Sequence, residues 1–362
     1  MEPILVFGAT GHTGRLVVRA LENTARPFVI AGRDRPALER LSASLSSRPG
    51  VRVADALDRP ALLAALGGIK SVITTVGPFS RLGMPLAAAA VDLGVHYVDT
   101  SGEQTFQMQV YEKLHRKAVS TGSTVITGAA LESSFGYLGG AVLHERCGPL
   151  VAISSSYFVE SFRPSMGTVR SALTMLGEEL ASFRDGRLVP LPTAPRPRDV
   201  TFAGERETFH SVEIPGGDSV LLPLDIASLQ SASTHALLSK TQAQVVALVL
   251  RAQPAMRKRL TERRIDRIAA LAGVLRRDPP DAERAASPWK VFVQGQSSTG
   301  NHLFVASGQD VYATSAAVAT QTAMWLADGR ARDAGVMTTG KALPAVEFLD
   351  ALRPSGVRWE LR

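Results

Sequence analysis

Along the first third of the chain, short apolar runs alternate with longer stretches whose apolar residues recur at helical spacing. Ile4-Leu5-Val6-Phe7 is a continuous apolar run that stops at Gly8, and residues 15–21 follow with one apolar face. The same unit recurs. Strand-like runs at 28–31, 51–54, 71–76, 96–99 and 124–127 are separated by helical patterns that include 60–66, 85–93 and 106–120. Six strands alternating with helices predict an α/β domain, a doubly wound parallel sheet of Rossmann type with right-handed crossovers.

Beyond residue 130 the pattern changes. Residues 151–159 read as a long strand, 167–183 as a helix, and 188–199, with four prolines, as a surface loop. Runs at 208–214, 219–224 and 289–294 read as strands with few helices between them. Such an order predicts a second, α+β domain with a mixed or antiparallel sheet. An alanine-rich helix at 312–327 and an amphipathic one at 344–352 close the chain. The expected division is a dinucleotide-binding domain over 1–130, completed by helices from 311–362, and a substrate and dimerisation domain over 131–310.

The first turn reads Gly8-Ala9-Thr10-Gly11-His12-Thr13-Gly14. Glycines there let the backbone turn tightly and approach a phosphate, and the helix that follows offers unpaired N–H groups to an anion. By Brändén's rule the ligand lies at the carboxyl ends of the strands, so Gly8, Thr10, Gly11, His12, Thr13 and Gly14 are expected to line the cofactor. His12 is expected to act sterically rather than as an acid or base. The second strand ends at Arg33, about twenty residues on, where an acidic residue would take the ribose hydroxyls of NAD. A guanidinium suits a 2′-phosphate instead, so NADP (NADPH) is the expected cofactor; the alternative is that Arg33 caps the next helix in solvent. Asp34 comes one place too late for the ribose. Asp55, ending the third strand, reads equally as a residue near the adenine or as a helix cap. Val76, Gly77, Pro78 and Phe79, after the fourth strand, are expected beside the pyrophosphate and nicotinamide ribose, or else form a plain loop.

The fifth strand ends in Tyr97-Val98-Asp99-Thr100-Ser101-Gly102-Glu103. Tyr97, Asp99 and Glu103 are the catalytic candidates; against that, Asp99 suits a turn cap and Glu103 an arginine partner.

Composition narrows the rest. Hydrophobic residues make up 45% and charged ones 20%, as in an ordinary globular protein. The single cysteine, Cys147, excludes an intramolecular disulfide and a cysteine-based zinc site, and the seven histidines show no metal-ligand spacing, so no metal is expected. Neither a signal peptide nor a membrane-spanning run is recognisable, and a cytoplasmic location is expected. The net charge of +7 is largely arginine. Arg257, Lys258, Arg259, Arg263, Arg264, Arg267, Arg276 and Arg277 form one basic stretch, with Met256, Leu260, Ile268, Leu271 and Leu275 as its apolar face. It suits an acidic acyl-carrier protein or the phosphates of a CoA thioester, a solvated helix, or a membrane surface. No aromatic platform accompanies it, which ranks nucleic acid last.

With these residues laid out, the chain resembles the saccharopine dehydrogenase-like oxidoreductases, nearest the bacterial trans-acting enoyl reductases. The resemblance rests on residues 8–14, on Ala31-Gly32-Arg33-Asp34, on Val76-Gly77-Pro78-Phe79 and on 94–103. Gly167-Thr168 with Ser171-Ala172-Leu173, Ala313-Thr314-Ser315 and Gly335-Val336-Met337-Thr338 extend it. One segment departs: where relatives usually read Gly-Phe-Asp-Ser-x-Pro, this chain has Ala130-Leu131-Glu132-Ser133-Ser134-Phe135. The resemblance implies an NADP(H)-dependent oxidoreductase that reduces a C=C bond (an enoyl thioester) or a C=N bond of an intermediate bound between the domains. The substrate is a small molecule or an acyl thioester, in one version carried on an acyl-carrier protein, and the protein is a homodimer. The alternatives are an imine or amino-acid dehydrogenase of saccharopine type and a non-enzymatic NADP-binding sensor.

Overall fold

The structure, a computed structural model, describes residues 1–192, 195–275 and 278–362. It divides into two units. The first comprises Met1–Ser101, Phe106–Leu131 and Tyr312–Pro344; the second comprises Gly102–Thr105, Glu132–Val311 and Ala345–Arg362.

In the first unit β1 (Ile4–Phe7), α1 (His12–Glu22), β2 (Phe28–Gly32), α2 (Arg35–Ala43), β3 (Gly50–Val53) and α3 (Arg59–Leu66) follow one another. Then come β4 (Ser71–Thr74), α4 (Phe79–Asp92), β5 (His96–Asp99), α5 (Gln104–Thr121) and β6 (Thr124–Ile126). β1 and β4–β6 are buried on both faces because helices cover both, as a parallel sheet requires. Leu5, Phe7, Leu62, Val72, Leu86, Tyr97, Phe106 and Val125 share one buried core. α4 begins at Phe79, earlier than its periodicity suggested, with Pro78 as N-cap and Pro85 inside it.

The second unit opens with α6 (Leu131–Cys147), broken at Glu132 and Ser133, and continues with β7 (Leu150–Val159), α7 (Met166–Met175), β8 (Ala181–Arg184), β9 (Arg187–Pro190), β10 (Arg198–Val200) and β11 (Phe209–Ile214). α8 (Asp218–Asp225), β12 (Ser231–Leu238), α9 (Lys240–Arg257), α10 (Glu262–Leu275), α11 (Asp281–Ala285), β13 (Pro288–Ser297) and β14 (Gly300–Gln309) complete its long middle segment. The chain then returns to the first unit with α12 (Val311–Ala327), β15 (Gly335–Val336) and α13 (Thr339–Ala342), and ends in the second with α14 (Ala345–Ala351) and β16 (Arg358–Leu361).

The first sheet has the order β15-β6-β5-β4-β1-β2-β3, all parallel. Its seventh strand is β15, which the sequence pattern did not reveal. The second sheet runs β10-β11-β12-β7-β13-β14-β16, with β8 and β9 off this path; among the described residues only β12 and β7 pair in parallel. It is the mixed sheet expected, and over it Phe202 stacks on Phe292 with ring centroids 4.0 Å apart.

Three expectations are corrected. Residues 188–199, expected as a surface loop, begin inside the strand β9 (Arg187–Pro190) and end inside β10 (Arg198–Val200), each paired with a neighbouring strand. The run 219–224 is the helix α8, not a strand: Gly217 caps it, Asp218 opens it, and a short apolar run carries no period that tells the two apart. The helix expected over 167–183 stops at Met175, and Ala181–Arg184 is the strand β8 paired with β9.

Candidate functional site

Within the first unit the strand order reverses direction between β1 and β4, the place where dinucleotides bind in doubly wound sheets. The loops at their carboxyl ends pack together. Gly8 has φ +86°, and a Cβ on it would lie 2.5 Å from Val76 Cγ2; Thr75 Oγ1 donates to Gly8 O at 3.4 Å. A Cβ on Gly14 would overlap Gly8 O, so the first turn of α1 can lie against the loop only with glycine there. Gly11 caps α1 with no side-chain hydrogen bond, which leaves the helix N-terminus to a phosphate. Thr10 O accepts from Arg15 Nε at 3.0 Å, and Thr13 is half-buried in the first helical turn. The His12 ring meets Tyr312 edge to face at 4.9 Å.

Arg33, at the end of β2, is exposed and makes no ion pair or hydrogen bond among the described residues. Asp34 is the residue that caps α2, its Oδ1 accepting from Ala37 N at 3.0 Å. The guanidinium is thus left for a ligand and the neighbouring carboxylate is engaged. Asp55 is exposed and accepts from Leu57 N at 2.9 Å; the cap of α3 is Asp58. Val76 and Gly77 are half-buried at the carboxyl end of β4, joined to buried Pro78 by a cis bond, whereas Phe79 turns into the core against Phe106. The glycine cradle, the uncapped helix end and the open Arg33 fit a dinucleotide with a 2′-phosphate.

Of the catalytic candidates, the structure brings Tyr97 and Asp99 to one face of β5. Tyr97 has no exposed surface; burial, reinforced by the Asp99 charge, lifts its hydroxyl well above the ordinary tyrosine range. Asp99 is equally buried, and its Oδ1 accepts from Ser101 N at 2.9 Å and Gly128 N at 3.0 Å, tying two loops of the first unit. Glu103 falls in the second unit, fully buried, where Ser171 Oγ donates to its Oε1 at 2.7 Å.

The sequence pattern did not mark the network behind Glu132. Ser133 has φ 98° and ψ −60°, close to a γ-turn of the strained kind. Its N–H donates to Tyr157 Oη at 3.1 Å, and Tyr157 Oη donates to Asp218 Oδ2 at 2.8 Å. A Cβ on Gly136 would overlap Asp218 Oδ1 and lie 2.5 Å from Tyr157 Oη. Burial pushes the Asp218 carboxyl up to about 7, against the hydrogen bonds from Tyr157 and Thr234. Glu132 itself has an exposed side chain, yet enough protein crowds its carboxyl that desolvation raises it above the usual carboxylate range. The available signal was a glycine inside a helical run and an aspartate heading an apolar one.

The basic stretch is two helices rather than one. α9 ends at Arg257, whose guanidinium pairs with Glu179 at 2.7 Å, and α10 starts at Glu262. Among the described side chains of α10, Ile265 and Ala269 are buried, while Ile268 and Leu271 lie exposed among Arg263, Arg264 and Arg267. Of the expected apolar face, Met256 and Leu260 are half-buried and Ile268 and Leu271 are open to solvent, and the Leu275 side chain lies outside the description. Arg276 and Arg277 lie outside the described residues. Among the described residues no helix is long and apolar enough to cross a membrane, and no group of three potential ligands could hold a metal ion.

Comparison with known proteins agrees with this geometry. A trans-acting enoyl reductase of Mycobacterium leprae (strain TN) is 36% identical over 136 residues, which cover 36% of this chain and 32% of that protein. A protein of the same name from Mycobacterium tuberculosis (strain ATCC 25618 / H37Rv) is 33% identical over 136 residues, with the same coverage. The chain thus spans about a third of the length of these relatives. Across the whole chain, the structure is similar to apo saccharopine dehydrogenase (L-Glu forming) from Saccharomyces cerevisiae, with a TM-score of 0.63, 14% identity and 100% of both chains covered. At that identity the likeness is one of fold. Residues 4–126, which include the Gly8–Gly14 cradle and Arg33, match the model of the saccharopine dehydrogenase NADP binding domain, and NADP(H) is the cofactor to which that match points.

Proposed function

We propose that the protein is an NADPH-dependent reductase of enoyl thioesters. The observation that carries this reading is the 36% identity, over 136 residues, to a protein named trans-acting enoyl reductase. NADPH, when bound, supplies a hydride. The Gly8–Gly14 turn and the N-terminus of α1 would hold its pyrophosphate, Arg33 its 2′-phosphate, and Val76 and Gly77 would border the nicotinamide ribose. In such a reduction hydride would add to the β-carbon of the enoyl group, the π electrons would move toward the thioester oxygen, and the α-carbon would then take a proton. The chain need only position the reactants and stabilise the developing oxyanion.

The acyl group is carried, in this reading, on an acidic acyl-carrier protein. Arg263, Arg264 and Arg267, exposed around Ile268 and Leu271, support that choice, since carrier docking combines charge with a small apolar contact. Charge reversal at Arg263 and Arg264 is expected to weaken carrier binding in a salt-dependent manner. A homodimer formed through the second sheet and a cytoplasmic location belong to the same reading, and light scattering reads the first.

The test is steady-state NADPH oxidation with enoyl thioesters, free and carrier-bound, beside cyclic imines. Turnover of enoyl thioesters with NADPH strongly preferred over NADH is expected. Consumption of imines alone would replace the reading by a saccharopine-type dehydrogenase. Tight NADPH binding without turnover of either class would make the protein a sensor.

A further inference from the structure

Within the first unit, the cofactor turn is touched by a residue that lies far from it in sequence. Three of the seven residues from Gly8 to Gly14 are glycines, so the segment has few side chains to anchor it and much backbone freedom to lose. Main-chain bonds hold part of it: Gly8 N donates to Ala31 O at 2.9 Å, and Gly11 N donates to Gly8 O at 3.0 Å. His12, the first residue of α1, adds a side-chain contact. Its ring meets that of Tyr312 with centroids 4.9 Å apart and planes at 89°, the edge-to-face arrangement that aromatic rings favour. Tyr312 is buried, and it opens the segment Tyr312–Pro344 with which the chain returns to this unit. That segment is also fixed elsewhere. Leu131 N donates to Ser315 Oγ at 3.0 Å, Gly335 and Val336 pair with Thr124 and Val125, and α12 is buried along most of its length. The stretch matched to an NADP-binding domain ends at residue 126, and Tyr312 stands well outside it.

We propose that Tyr312 is a positioning residue of the cofactor turn, and that NADPH binding at Gly8–Gly14 and the docking of α12 on the first unit are coupled through the His12–Tyr312 contact. This rests on NADP(H) being the cofactor and is independent of which substrate is reduced. A phosphate at the N-terminus of α1 is received by main-chain N–H groups, whose directions follow from the backbone angles of the turn. A buried ring held against His12 narrows the conformations open to that backbone before the ligand arrives, so less entropy is left for binding to remove. The coupling runs both ways. A ligand that fixes the turn also keeps His12 against Tyr312, and so holds α12 in place. The contact needs only the tyrosine ring, so its hydroxyl is dispensable for this role.

The test uses the full chain and four variants: Tyr312→Leu, which fills the space without a ring, the conservative Tyr312→Phe, His12→Ala, and His12→Ala combined with Tyr312→Leu. Two probes are titrated calorimetrically, NADPH and 2′-AMP, the second of which carries the phosphate for Arg33 and no pyrophosphate. Tyr312→Leu is expected to raise the Kd for NADPH by roughly 3–10-fold, the span of one aromatic pair, and to leave that for 2′-AMP unchanged. Tyr312→Phe keeps the ring and is expected to recover the parent's affinity. The double variant is expected to bind NADPH no more weakly than the weaker of the two single ones, because both remove the same contact. Amide hydrogen exchange is the second readout. Residues 315–320 of α12 are expected to exchange more slowly in the parent by about threefold or more when NADPH is added, and to lose most of that response in Tyr312→Leu. If Tyr312→Leu binds NADPH like the parent, weakens 2′-AMP equally, or adds its full loss to that of His12→Ala, Tyr312 does not position the turn. If NADPH slows exchange in α1 and leaves residues 315–320 unchanged, the coupling to α12 is wrong.

Discussion

Ser171 Oγ donates to Glu103 Oε1 over 2.7 Å, joining α7 to the segment that leaves β5. Glu103 has no exposed surface, so this bond helps to compensate a carboxyl removed from water. Ser171→Ala is expected to lower the free energy of unfolding by about 1–3 kcal/mol, the usual cost of depriving a buried polar group of a partner. Urea denaturation measures it, and a change below about 0.5 kcal/mol would show that the bond contributes little.

Arg33 is exposed and makes no ion pair or hydrogen bond among the described residues, so its removal should cost the fold little. Arg33→Ala is expected to raise the Kd for NADPH by roughly 10–100-fold, the value of about 1.5–3 kcal/mol for charge-assisted bonds to a phosphate, and to leave NADH binding unchanged. Calorimetric titration of both cofactors checks it. Equal weakening of the two would remove Arg33 from the 2′-phosphate.

Glycines of the cofactor turn differ in what they can tolerate. A Cβ at residue 14 would overlap Gly8 O, while one at residue 11 would lie 3.3 Å from that oxygen. Gly14→Ala is therefore expected to abolish measurable NADPH binding and to lower Tm, and Gly11→Ala to weaken binding with a smaller thermal effect. The reverse order in a thermal-shift series with NADPH would contradict the geometry.

His96 accepts from Thr124 N at 3.0 Å and is pushed down to about 4, first by burial and then by the Lys70 charge. Its folded value lies below the unfolded 6.5, so the unfolded chain takes up a proton that the folded one refuses. The stability involved is fully present above pH 6.5 and is lost as pH falls toward 4, on the order of 3 kcal/mol in all. His96→Gln keeps an acceptor and should flatten that part of the stability profile. A variant with the same slope between these pH values would exclude His96 as its source.

Asp218 runs the other way. With an unfolded value of 3.8 and a folded value of about 7, the folded chain holds a proton that the unfolded one has released, and stability falls as pH rises through that window. Asp218→Asn still offers an oxygen to Tyr157 Oη and carries no charge. It is expected to exceed the parent in unfolding free energy at pH 8 by on the order of 4 kcal/mol, with the gap closing toward pH 4. An equal gap at both ends would mean that packing, not ionisation, is being measured.

The first unit was legible because each of its strands is apolar, short and stopped by a glycine or a polar turn, and because Gly8 to Gly14 and Arg33 stand at fixed places in that rhythm. The second was less so. β12, Ser231–Leu238, is rich in serine and alanine and carries little strand preference, and β16 at Arg358–Leu361 is a short edge strand with mostly exposed residues. α8 reads as a strand in sequence because six apolar-rich residues fit either period. At the site, Tyr97, Asp99 and Glu103 looked alike in sequence as polar groups at a strand end. Burial separates them: Tyr97 belongs to the core, Asp99 ties loops through backbone amides, and Glu103 joins α7 in the other unit. The Ser133–Tyr157–Asp218 chain joins residues brought together only by tertiary folding, and no spacing announces it.

The discontinuity of the first unit has a consequence for the chain as it emerges from the ribosome. β15 lies beside β6, and α12 supplies Tyr312 to the His12 ring and Ser315 Oγ to Leu131 N at 3.0 Å. These pieces are translated after β14. Throughout synthesis of the second unit's middle segment, β6 is therefore an edge strand with an unpaired row of N–H and C=O groups, the kind of border that recruits stray strands. The nascent protein holds its glycine turn early and closes its sheet late, so the interval between them is when a chaperone would matter most to it.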